Sequence, residues 1–135
     1  MLSKPYCGWC DVVIGDFKAP ASYLSEVPVD CLNAMILAIS NSSDFCVSFD
    51  AEGWEYKVIS DRCKTFVIIE KDGVELKVID KDIISLKDEL IDDIESNIKD
   101  WSHWSLSEED DSVEEVQLYE KDLMKKIEIL KNLSS

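Results

Sequence analysis

The sequence predicts an α+β fold: two layers, with an antiparallel meander sheet of about five strands packed with three helices, in the order β-α-β-β-β-β-α-α. Three observations carry this. Between residues 45 and 78, short segments alternate apolar and polar residues with the period of a half-buried strand, and local turns join them. Residues 28–40 and two stretches after residue 83 repeat apolar residues at helical spacing. The 135 residues contain no internal repeat, linker or low-complexity run, so residues 1–135 are expected to form a single domain.

Residues 10–17 begin the chain's regular structure as a strand, with Val12 and Ile14 facing opposite to Val13. Ala19-Pro20-Ala21-Ser22 breaks it, and Tyr23, Leu24 and Val27 are expected in a loop that packs down. Pro28 suits a first helical turn and Asp30 the positive end of the helix dipole. Leu32, Met35, Ile36 and Ile39 follow at helical spacing with Ala34 and Ala38 between them. That helix is apolar nearly all round and is expected to be the most buried, with Ile36 facing the sheet. Asn41-Ser42-Ser43 ends it.

In the meander, Phe45, Val47 and Phe49 alternate with polar neighbours, as do Trp54, Tyr56 and Val58. Residues 65–69 form a β-branched run suited to a central strand. Asp72-Gly73 signals a two-residue hairpin turn, which places Val74, Leu76 and Val78 inward and Glu75 and Lys77 outward. A helix then runs from residue 83 or 86 to 104, with Ser85 and Asp88 as a capping box and Ile83, Leu90, Ile94, Ile98 and Trp101 as its stripe; Lys87 interrupts that stripe. Residues 106–111 form an acidic loop. Ser112 and Glu115 open the last helix, whose stripe is Val116, Tyr119, Leu123, Ile127 and Leu130.

Composition excludes several functions. There are 29 acidic and 14 basic side chains, a net charge of −15. Phosphate contacts need a surplus of Lys and Arg, so direct nucleic-acid binding is not expected, nor is docking on anionic lipid. The longest apolar run, residues 34–39, is too short to span a membrane. No secretory signal is visible, and five scattered cysteines suit reduced thiols, so a cytoplasmic protein is expected. Cys7-Gly8-Trp9-Cys10 is the one redox-like or metal-like motif. It lacks the preceding strand and following helix of a thioredoxin site and the second ligand pair of a zinc site. No cofactor and no metal are expected; an enzyme or a redox or metal protein using Cys7 and Cys10 is the alternative. His103 and Arg62 are each the only residue of their type, and no Gly-rich phosphate loop occurs. The expected class is therefore a binding protein, not an enzyme.

Charge is distributed unevenly. Residues 68–135 hold 20 acidic and 9 basic side chains, or −11, against −4 for residues 1–67. Asp88, Glu89, Asp92 and Asp100 project opposite the apolar stripe, with Asp93 and Glu95 at its edges. Glu108, Glu109, Asp110 and Asp111 continue the run, and between residues 83 and 111 only Lys87 and Lys99 offset it. A solvated helix face is the ordinary explanation of such a run. Fixed like charges repel, however, and a basic partner relieves the repulsion. Trp101 continues the stripe into the core, whereas Trp104 sits at its margin as a candidate binding anchor. Leu118 and Ile129 lie off the stripe of the last helix.

The segments Ile14-Gly15-Asp16-Phe17-Lys18-Ala19-Pro20-Ala21-Ser22-Tyr23-Leu24 and Phe49-Asp50-Ala51-Glu52-Gly53, with the stretch 100–111, resemble small bacterial immunity proteins of contact-dependent inhibition and polymorphic toxin systems. The resemblance implies a cytoplasmic inhibitor that binds one toxin domain, often a basic nuclease, and occludes its active-site face. It carries over no functional residue. A nucleic-acid mimic and a structural adapter are the other readings of the same acidity.

Overall fold

The structure, a computed structural model, describes residues 1–24, 26–103 and 113–133. Ten elements follow in chain order: strands β1 (Trp9–Ile14) and β2 (Phe17–Ser22), helix α1 (Val27–Asn41), strands β3 (Phe45–Asp50), β4 (Glu55–Ser60), β5 (Thr65–Glu70) and β6 (Val74–Ile79), and helices α2 (Ile83–Ser96), α3 (Ile98–Ser102) and α4 (Val113–Asn132). The α+β class and the four-stranded antiparallel meander, ordered β3-β4-β5-β6 and packed against helices, are as expected. The strand and helix counts differ: among the described residues six strands lie in two sheets, and four helices replace three.

The extra strand comes from the first expected one, which is a hairpin. Ile14 pairs with Phe17 across Gly15 and Asp16, and Pro20, expected to break the strand, sits within β2 opposite Asp11. Gly15 has φ +57°, and a Cβ there meets Ile79 Cγ2 at 2.9 Å, so the turn needs glycine both for its backbone and for its approach to the larger sheet. Tyr56 joins the two sheets. Its hydroxyl donates to the carbonyls of Ala19 (3.2 Å) and Pro20 (2.9 Å), and its ring meets Phe17 edge-on at 5.5 Å and stacks on Phe49 at 5.3 Å. Tyr23 and Leu24, expected to pack down, are exposed; only Val27 is buried.

Helix α1 has Pro28 in its first turn, and a left-handed Ser42 (φ 52°) terminates it. It lies between β3 and α4. Cys31, Leu32, Met35, Ala38 and Ile39 are buried, but Ile36 is only half-buried and Leu37 is 62% exposed, so the helix is not apolar-covered all round. Two layers leave one side of it to solvent.

The additional helix arises at Asn97. Its side chain donates to the Asp93 carbonyl (3.1 Å) and its backbone N–H to Ile94, which ends α2 before α3 begins. Asp82, not Ser85, caps α2: its carboxylate accepts the Ser85 N–H at 2.8 Å. Ile83, Leu86, Leu90 and Ile94 are buried along α2, Trp101 is fully buried in α3, and Leu123, Ile127 and Leu130 are buried along α4. These side chains belong to one core cluster with those of both sheets.

β6 corrects the expected facing. Glu70 pairs with Val74, so the loop is the three residues 71–73 and not the two-residue turn read from Asp72-Gly73. One residue of register exchanges the faces of a strand. Val67 is opposite Lys77 and Ile69 opposite Glu75, which puts the charged pair on the core-side face, while Val74, Leu76 and Val78 share the outer face with Phe66 and Ile68. Val74, Leu76 and Val78 are 75%, 59% and 54% exposed. Glu75 and Lys77 are exposed as well, so the covering layer reaches β6 only at its end, at Ile79.

Candidate protein-binding surface

The charge argument rests on α2, where the apolar line turns Asp88, Glu89, Asp92, Asp93 and Glu95 away from the core or to its flanks. Two of them are not free to meet a partner. Glu89 and Asp93, one turn apart, hold the ammonium of Met1 at 3.2 and 2.5 Å. Asp93 also accepts the Leu2 N–H at 3.0 Å, and Glu89 forms a close ion pair with Lys81. Burial pushes the Glu89 carboxyl up, but the hydrogen bond from Lys81 and the terminal ammonium outweigh it and leave its pKa below the usual carboxylate range. These contacts hold residues 1–3 beside β1, where Ser3 N–H donates to Asp11 and Val13 N–H to Met1. Asp93→Asn is expected to cost about 1–3 kcal/mol, because it weakens the partner of a part-buried charge carried by the buried residue Met1. Urea denaturation tests this; a change under about 0.5 kcal/mol assigns Asp93 to the open acidic face.

Glu95 pairs with Lys131 of α4 at 2.7 Å, Asp100 with Lys4 at 3.8 Å, and Asp88 with its neighbour Lys87 at 3.7 Å. Lys99 is engaged by Glu120 at 2.9 Å. The expectation that only Lys87 and Lys99 offset this run is therefore corrected. Met1, Lys4, Lys81 and Lys131 arrive from distant parts of the chain. Asp88 and Asp92 remain as the exposed carboxylates of the α2 face, and Asp92 has no ion-pair partner among the described residues. Trp104, Glu108, Glu109, Asp110 and Asp111 lie outside the described residues, as does Ser112. Leu118 and Ile129 of α4 are exposed.

A second acidic locus was not anticipated from the sequence. Register aligns Asp50, Glu55 and Glu70 across β3, β4 and β5, and these three with Gly53 and Trp54 line a shallow depression. A hydrogen bond with Glu70 and the Glu70 charge raise the Glu55 pKa, helped by Asp50 and opposed by Lys57. Trp54 is half-buried beside them, with the Lys71 ammonium 4.9 Å over its ring. The signal lay in the 61–64 turn: pairing Ser60 with Thr65 fixes Glu55 opposite Glu70. A raised carboxyl pKa means the folded state disfavours the charge, so this repulsion is present at neutral pH and fades as pH falls through the carboxylate range. Glu70→Gln is expected to raise the thermal midpoint at pH 7 and to lose that advantage near about pH 4; equal midpoints at pH 7 remove the repulsion.

The Cys7–Cys10 motif is a tight turn. Tyr6 and Trp9 exchange backbone hydrogen bonds of 2.7 and 2.8 Å around Cys7 (φ 47°) and Gly8 (φ 81°). Cys7 is exposed, and Cys10 is buried in β1 with its thiol pushed up to about 12, chiefly by burial. That opposes the thiolate a redox pair uses. His103 closes α3, its Nδ1 donating to the Lys99 carbonyl at 2.8 Å. Among the described residues no group of three His, Cys, Asp or Glu side chains is placed to hold a metal, and no helix is long and apolar enough to cross a membrane. No family model matches the chain, and no curated protein or solved structure shows significant similarity to it.

Proposed function

We propose that this chain is an acidic binding protein that docks on a positively charged protein, and that it acts as an immunity protein which neutralises a toxin domain, a nuclease above all, by covering its basic active-site face. One observation carries the reading: more than half of the molecule's 14 Lys and Arg side chains are engaged internally while its carboxylates remain in excess. Eight lysines form ion pairs among the described residues, and the net charge is −15. A nuclease must attract polyphosphate, so its working face is positive, and a field of the opposite sign steers the two proteins together. Asp88 and Asp92 on α2, with the sequence run 108–111, supply the acidic side of such a contact. This is binding chemistry, without a catalytic step.

The test is capture by the immobilised protein from lysates expressing basic toxin domains, at about 0.05 M and about 0.5 M salt. A basic nuclease retained at low salt, and inhibited by one equivalent of the protein, is the expected result. Retention of no basic protein, or nuclease activity unchanged by saturating protein, overturns the proposal.

A further inference from the structure

Among the described residues the outer strand β6 has one neighbour, β5, and ends the sheet. Such an edge presents a row of backbone donors and acceptors to any strand that fits it. Natural edges are commonly protected by charged side chains that repel a second strand, and Glu75 and Lys77 look like such a device. Their order makes them the opposite. The segment Val74-Glu75-Leu76-Lys77-Val78 is symmetric in type about its centre. Laid antiparallel on a copy of itself about Leu76, it sets Leu76 against Leu76, Val74 against Val78, and Glu75 against Lys77 twice. Each of these is a favourable cross-strand pair.

From this self-complementarity we propose that β6 is the interface of a symmetric homodimer, in which two copies pair edge to edge and the two four-stranded sheets become one eight-stranded sheet. Three further observations favour a second copy as the occupant. Glu75 and Lys77 sit on one face, where among the described residues they pair with each other, 3.8 Å apart and both exposed. Pairing gives each a partner directly across the strands. Val74, Leu76 and Val78 lie on the outer face in register with Phe66 and Ile68, so the dimer forms a continuous apolar strip across its axis. Residues 70–81 carry four acidic and three basic side chains, so this edge is nearly neutral in a molecule of −15, and two copies meet there with little local repulsion. Two-fold pairing also closes the assembly, since each edge satisfies the other and no fibre grows.

The contact is small, so a weak dimer is expected, with a dissociation constant of about 10–100 µM. Sedimentation equilibrium up to about 1 mM chain, in about 0.15 M salt to screen the overall charge, measures it. Glu75→Lys places lysines opposite each other at both positions, and Lys77→Glu does the same with carboxylates. Each variant alone is expected to dimerise about 10-fold or more weakly than the native chain. Mixed in equal amounts they restore opposite charges at both positions, and a heterodimer of near-native affinity is expected. Both sites are exposed, and circular dichroism verifies that each variant is folded. A native chain that stays monomeric over this range overturns the proposal. So do single variants that associate as the native chain does, or a mixture that associates no better than its components.

Discussion

Leu32→Ala is expected to lower folding stability by about 2–5 kcal/mol, and Leu37→Ala in the same helix by no more than about 0.5 kcal/mol. Leu32 is fully buried in a helix that packs against both β3 and α4, and its truncation leaves a cavity in the core. Leu37 is 62% exposed. A domain of this size is stable by roughly 5–15 kcal/mol, so the first change removes a large part of the total. Ile36→Ala falls between them, at about 1–2 kcal/mol, since its half-buried side chain keeps one side in water. Placing Ile36 against the sheet treats an apolar helix as buried all round. Chemical denaturation of the three variants fixes the rotation of α1. Equal losses at 32 and 37 are incompatible with its position in this fold.

Legibility follows the same physics in other elements. The inward sides of β3 and β4 were readable because alternation in a half-buried strand survives any detail of its turns: Phe45, Val47, Phe49, Tyr56 and Val58 are all buried. The stripe of α4 was readable because Leu123, Ile127 and Leu130 recur at helical spacing among charged neighbours, and all three are buried. β6 was misread because its facing depends on whether the loop holds two residues or three, which the Asp72-Gly73 dipeptide does not decide. The β1–β2 hairpin was missed because Pro20 suggested a break; at a strand edge, proline's missing N–H costs no hydrogen bond.

The acidic face was legible as composition and not as geometry. Nothing local to α2 reveals that Met1 and Lys81 meet Glu89, or that Lys131 meets Glu95, because those cations come from elsewhere in the chain. Nor did composition single out Glu55 and Glu70, whose proximity depends on strand register. The consequence is a division of labour within one helix. Glu89 and Asp93 hold the first residues of the chain, and Asp88 and Asp92 face solvent.

That division gives the second large effect. Replacing Asp88 and Asp92 together by Asn is expected to slow association with a basic partner about 3–10-fold at low salt and to flatten its salt dependence, while leaving the denaturation midpoint unchanged. Replacing Glu89 and Asp93 by Gln and Asn removes the same formal charge but acts first on stability. The pH dependence separates the two pairs further. A carboxyl whose folded pKa lies below its unfolded value contributes stability that is complete above the ordinary carboxylate range, about pH 4–5, and is lost as pH falls through the folded value. Glu89 is such a group, so its pair variant loses part of the native chain's acid sensitivity, and the Asp88 and Asp92 variant retains it. Stopped-flow association at two salt concentrations, beside denaturation at pH 7 and about pH 3, reads all four outcomes. If the Asp88 and Asp92 variant associates as fast as the native chain at low salt, the α2 face is solvated surface, and steering must come from the Asp50, Glu55 and Glu70 side of the sheet.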